Sequence, residues 1–71
     1  MAHRIPVLVG GQSESVGTIP APPDAQVQKY AQLTQYEVTG LFELSYGQAI
    51  SVRFATLADA RRWPGFKAKA N

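Results

Sequence analysis

The strongest constraint on the fold is a run of alternating apolar and polar residues, YEVTGLFELSYGQAISVRFA, over residues 36–55. In its first part the apolar positions are Tyr36, Val38, Gly40, Phe42 and Leu44. In its second part they are Ile50, Val52 and Phe54. A period of two residues is typical of a strand with one buried face. The run therefore predicts an antiparallel hairpin.

The loop of this hairpin is predicted to have three residues, 45–47. A two-residue loop would place Leu44 opposite Ala49, although the alternation assigns these residues to opposite faces. A three-residue loop keeps the apolar residues paired and puts Gly47 at its third position, where the left-handed conformation is favoured. Tyr46 is then expected to lie exposed at the tip.

A short helix is predicted over residues 57–63, directly after the hairpin. Thr56 is a suitable N-cap, and Asp59 carries a negative charge in the first turn, where the helix dipole favours it. Pro64 ends the helix because the residue before a proline is pushed out of the helical region. So short a helix must be held by packing. The residues expected to face inward are Leu57, Ala60 and Trp63.

The first part of the chain predicts a second hairpin, formed by RIPVLV at residues 4–9 and VGTIP at residues 16–20. Pro6 lacks a backbone donor, which suits an edge strand. The connecting GGQSES could aim amide N–H groups at a phosphate. Known phosphate loops, however, are followed by a helix and usually contain a lysine, so we interpret residues 10–15 as a hairpin loop.

Between the two hairpins, residues 25–34 are predicted to form a helix with Asp24 as its N-cap. Their content of Ala, Gln and Lys favours a helix. A strand remains an alternative, because Ala31 and Leu33 alternate with glutamines. The fold predicted from these elements is α+β: a small antiparallel sheet of three or four strands, in the chain order ββαββα, with one or two short helices packed on one face.

The length of 71 residues predicts a single small domain over residues 1–71, with a flexible basic tail over 66–71. The sequence has no Cys and one His, so neither a disulfide nor a structural zinc site is expected. A core this small leaves a thin margin of stability. Association with another protein, or with a second copy as a homodimer, would widen that margin.

No set of residues indicates catalysis. His3 is the sole histidine, and Glu37 and Glu43 are separated by roughly 20 Å along a predicted strand. We therefore expect no enzymatic activity and no cofactor, with a site shared between subunits as the enzymatic alternative. The apolar runs are too short for a membrane span or a secretory signal. A cytoplasmic protein without membrane contact is expected.

Basic residues concentrate at the end of the chain: residues 53–71 hold five Arg or Lys and one Asp. Our leading hypothesis is a noncatalytic protein-interaction module, such as a regulator, inhibitor or accessory subunit. The candidate partner-binding residues are Tyr46, Arg53, Arg61, Arg62, Trp63, Phe66, Lys67 and Lys69. The alternative hypothesis is a nucleic-acid-binding protein that uses the basic helix and tail.

Two observations bear on these hypotheses. The polar face of the predicted sheet carries no aromatic residue, which disfavours base stacking on that face. Trp63 and Phe66 either fold back to close the core or stay exposed as anchors for a partner. The two arginines before Trp63 are expected on the solvent side of the helix.

Overall fold

The computed structural model describes residues 3–22 and 29–69, which form one mixed sheet and one short helix. The elements are β1 (Arg4–Val9), β2 (Gly17–Pro20), β3 (Tyr30–Gln35), β4 (Val38–Ser45), β5 (Gln48–Phe54), α1 (Leu57–Arg62) and β6 (Lys67–Ala68). The six strands lie in the order β3-β4-β5-β1-β2-β6. All neighbours are antiparallel except β1 and β5. The predicted sheet of three or four strands in the order ββαββα is therefore wrong.

Strand β3 is one source of the error, because its residues were predicted to be helical. It pairs with β4 along its whole length, from Tyr30 opposite Glu43 to Gln35 opposite Val38. This pairing turns Ala31 towards the core, where it is half-buried. Helix propensity is a weak preference that tertiary pairing overrides. Of the rest of the predicted helix, Lys29 directly precedes β3, and residues 25–28 with the N-cap Asp24 lie outside the described residues.

The turn between β4 and β5 has two residues, not the three that were predicted. Tyr46 and Gly47 have φ angles of 52° and 79°, the left-handed pair of a type I′ turn. The tip position predicted for Tyr46 is confirmed, since its side chain is fully exposed.

A β-bulge reconciles this short turn with the buried face of the sheet. Leu44 pairs with Ala49, but Glu43 pairs with Ser51, so Ile50 has no partner on β4. The extra residue shifts the alternation of β5 by one position. Ala49 is consequently buried and Ile50 exposed, the reverse of the prediction.

The hairpin of β1 and β2 is confirmed, but the prediction that Pro6 lies in an edge strand is wrong. β1 lies between β2 and β5. Carbonyl oxygens of His3 and Val7 accept from N–H groups on the β2 side, so the nitrogen of Pro6 points towards β5. Pairing with β5 begins only at Val7. The missing N–H of Pro6 therefore costs no hydrogen bond in the sheet.

Helix α1 begins at Leu57 as predicted and ends at Arg62, one residue before the predicted end at Trp63. The Thr56 hydroxyl oxygen accepts from the N–H of Asp59 at 3.2 Å. Trp63 is already extended, as the residue before Pro64 should be. The inward position of Ala60 is confirmed, but Leu57 is 37% exposed and its predicted inward position is wrong.

The core fills one face of the sheet, and Trp63 closes it. The indole ring lies 5.5 Å from the ring of Phe54 and 5.9 Å from that of Phe42, measured between centroids. Gly40 is buried nearby, where a Cβ atom would meet three side chains at 3.1–3.2 Å. Trp63 is 8% exposed, so its interpretation as a core residue is confirmed. The buried apolar residues are Ile5, Val7, Ile19, Val38, Phe42, Leu44, Ala49, Val52, Phe54, Ala60 and Trp63.

Trp63→Ala should remove about 3–5 kcal/mol of unfolding free energy, the usual cost of emptying an aromatic site in a core. Urea denaturation followed by far-UV circular dichroism measures the loss. Trp63→Phe, which keeps a ring in the site, should lose clearly less. Arg61→Ala, on the exposed side of the same helix, should stay within about 0.5 kcal/mol of the wild type. Equal stability of Trp63→Ala and Arg61→Ala would contradict the assigned role.

Candidate functional site

The two edges of the sheet differ in how far they are protected from pairing with another chain. β6 has only two residues and is followed by Lys69, and a short, charged edge discourages pairing. β3 has six residues, YAQLTQ, without a proline or a charge. Its pairing with β4 contains no bulge. Among residues 3–22 and 29–69, no strand pairs with its outer side.

The hydrogen-bonding pattern identifies which groups of β3 face outward. The Lys29 carbonyl oxygen accepts from the N–H of Leu44 at 2.8 Å, so odd-numbered positions of this stretch bond to β4. In an antiparallel strand the direction alternates with each residue. The outward N–H and C=O groups therefore belong to the even-numbered residues of the strand, which are Tyr30, Gln32 and Thr34. They form an unpaired polar row along the edge of the described sheet.

The turn between β3 and β4 holds this edge in place. Tyr36 and Glu37 form a two-residue turn with φ angles of 55° and 65°. Left-handed backbone costs a residue with a side chain roughly 1–2 kcal/mol. The Tyr36 ring meets Trp63 edge-on at 5.6 Å and 81°, and the Glu37 carboxylate accepts from Arg62 at 3.1 Å. The last residue of α1 and the Trp63 that follows it thus contact both strained residues and offset part of their cost.

No residue type at positions 36 and 37 directly indicates this turn. Hairpin turns of this type usually contain Gly, Asn or Asp, and Tyr-Glu has none of them. The available signal was the alternation of Ala31 and Leu33 with glutamines, which supported the strand alternative. Because residues 25–34 were predicted to be helical, the candidate set omitted Tyr30, Gln32 and Thr34.

The sheet face opposite α1 is open among the described residues. It includes Leu41, which is 38% exposed, and Tyr30, which is 48% exposed. The Lys29 ammonium lies 5.4 Å from the centroid of the Tyr30 ring, a cation–π distance. The prediction that this face has no aromatic residue is wrong, because it depended on a helical Tyr30.

The structure divides the predicted site residues between structural roles and the surface. Arg53 donates to the carbonyl oxygens of Gly10 at 2.6 Å and Gln12 at 2.8 Å, which ties β5 to the loop after β1. Phe66 is half-buried over Gly17, where a Cβ atom would come within 2.7 Å of its ring. Trp63 is buried, as described above. The remaining members are exposed: Tyr46, Arg61, Arg62, Lys67 and Lys69.

The basic residues are not gathered on one element. Arg53 lies in β5, Arg61 and Arg62 lie on α1, and Lys67 lies in the edge strand β6. Arg62 is engaged with Glu37. Their positive charge is therefore spread over several parts of the surface.

The described residues also bear on two other kinds of site. Among residues 3–22 and 29–69, no group of three or more His, Cys, Asp or Glu side chains could hold a metal ion. In the same part of the chain, no helix has the length and apolar character needed to cross a membrane. Comparison with protein families, curated proteins and solved structures finds no match.

Arg53→Ala should loosen the loop after β1, because Arg53 bonds two carbonyl oxygens there. We expect the amide of Gln12, which donates to Val9, to exchange its hydrogen about tenfold faster, corresponding to about 1.4 kcal/mol. Arg53→Lys should have a smaller effect, because both bonds come from one guanidinium nitrogen and an ammonium can also donate more than one hydrogen bond. Arg61→Ala is the control and should leave the exchange unchanged. Unaltered exchange in Arg53→Ala would refute this structural role.

Proposed function

We propose that the protein is a noncatalytic interaction module that binds an extended segment of a partner polypeptide along β3. The observation that carries the proposal is the outer edge of this strand, with the backbone groups of Tyr30, Gln32 and Thr34 directed outward in a row. An extended segment adds to such an edge as a further strand. Its main-chain hydrogen bonds supply affinity, and its side chains supply specificity.

The character of the strand supports this proposal. Proteins commonly protect their edge strands with charge, proline, bulges or short length. β6 uses two of these devices, whereas β3 uses none within Tyr30–Gln35. The side chains beside the row would contact the incoming strand through cross-strand pairs. Tyr30 adds an exposed aromatic ring of the kind that interfaces favour.

Nucleic-acid binding is the second proposal, and fewer observations support it. It rests on the exposed basic residues Arg61, Lys67 and Lys69, and on Tyr30, on which a base could stack. Glu43 is paired opposite Tyr30 and would repel phosphates there. Titration of labelled single-stranded RNA and DNA at low salt tests this function, and the absence of binding would remove it.

Gln32→Pro tests the leading proposal, because it removes an outward N–H without breaking a bond to β4. Wild-type and variant proteins are immobilised and exposed to extract of the source cells. A true partner should bind the wild type and be lost with Gln32→Pro. In the purified complex, the outward amides of Tyr30, Gln32 and Thr34 should exchange at least about tenfold more slowly than in the free protein.

Leu57→Pro is the matched control. Leu57 is the first residue of α1, a position that tolerates proline, and Thr56 before it is extended. This variant should capture the same partner as the wild type. Equal capture by Gln32→Pro, with unchanged exchange along β3, would reject the edge as the binding site.

A further inference from the structure

We propose that the segment bound along this edge is β3 of a second copy of the same chain. This inference rests on the proposed function and names its partner. The two copies would pair antiparallel about a twofold axis that passes by Gln32 and is perpendicular to the sheet. The sheets of both copies would then join edge to edge, with both helices on the same face.

The outward groups of the strand are self-complementary in this arrangement. Tyr30 and Thr34 are equally spaced on either side of Gln32. A twofold axis at Gln32 places Tyr30 opposite Thr34 of the second copy, and Gln32 opposite its own equivalent. Each opposed pair can exchange two backbone hydrogen bonds. Every outward N–H and C=O group of these three residues is thereby satisfied.

The side chains on the core face match in the same register. Ala31 would lie opposite Leu33 of the second copy. On the other side of the axis, Leu33 would lie opposite Ala31 of the second copy. Both residues are half-buried at the margin of the core in the single chain. Joining two apolar margins removes further apolar surface from water. The hydrogen-bonding and apolar patterns therefore select one register.

Charge at the two ends of the edge favours the antiparallel orientation. Lys29 precedes the strand and Glu37 follows it; both are exposed, and the Glu37 carboxylate also accepts from Arg62 of its own chain. Antiparallel pairing brings Lys29 to a position opposite residue 35 of the second copy, two residues from the Glu37 of that copy. A parallel arrangement would instead bring like charges together at each end. Opposite charges thus meet at both ends of the proposed interface.

The size of the interface predicts a modest affinity. One strand pair of six residues and a few apolar contacts lies at the small end of protein interfaces, below about 1,200 Å². We expect a dissociation constant on the order of micromolar. Such a dimer forms or dissociates with changes in protein concentration.

Sedimentation velocity over a range of protein concentrations is the first test. The wild type and Leu57→Pro should show concentration-dependent conversion to twice the protomer mass. Gln32→Pro should remain a monomer while keeping the far-UV circular dichroism spectrum of the wild type. In the wild type, exchange of the Gln32 amide should slow with rising concentration. A folded Gln32→Pro that still dimerises would overturn the proposed edge.

Charge reversal provides a second test that does not introduce proline. Lys29→Glu gives a chain with two acidic ends, and Glu37→Lys gives one with two basic ends; the second change is combined with Arg62→Glu, which preserves an ion pair between positions 37 and 62. Each variant alone should dimerise at least about tenfold more weakly than the wild type, since like charges then meet at both ends of the interface. An equimolar mixture should form a heterodimer of wild-type strength. Failure of the mixture to recover, with both variants folded, would overturn the antiparallel register.

The results distinguish this inference from the broader proposal. A wild type that stays monomeric at the highest concentrations overturns the second copy as occupant. The capture experiment would then decide the proposed function. A different protein that binds the wild type and not Gln32→Pro would support it. If neither a dimer nor a capture that depends on β3 is found, both the partner and the edge site are rejected.

Discussion

The packing of Trp63 against the sheet is the interaction on which the other elements depend. A helix of six residues is unstable alone, and α1 is held because the indole that follows it enters the core beside Phe42 and Phe54. The same ring receives Tyr36 from the turn between β3 and β4. One side chain therefore joins the helix, the centre of the sheet and the turn next to its outermost strand. A chain without disulfides concentrates much of its stability in such a contact.

The bulge in β5 and the strained turn before β4 solve related problems. In each case a tight two-residue turn fixes the register of neighbouring strands, and the buried face must still receive its apolar residues. Between β4 and β5 the solution is an extra residue, Ile50, which lets Ala49 and Val52 both face the core. Between β3 and β4 the turn residues Tyr36 and Glu37 are left-handed, and their contacts with Trp63 and Arg62 support them. Local irregularities thus preserve a continuous core.

The features that the sequence predicted correctly are those determined by residues close together in the chain. The cap at Thr56, the end at Pro64 and the strand character of residues 38–44 could be read directly, because neighbouring residues create them. The order of the strands could not, since β1 meets β5 through contacts between distant residues. The candidate interface was missed for a similar reason. Gln32 differs from an ordinary surface residue only once β3 is known to be a strand at the edge.

The open edge of β3 also has an energetic consequence for the protein as a whole. The ladder to β4 satisfies half of its backbone groups and half-buries Leu33, but no strand among the described residues pairs with the outer groups. A partner that supplies a second ladder replaces bonds to water with bonds within protein, a net gain of about 0.5–1.5 kcal/mol for each bond. In a chain whose core is small for its surface, that gain is large relative to the total stability. Binding at this edge would therefore also stabilise the fold, and the occupied edge would belong to the most stable form of the protein.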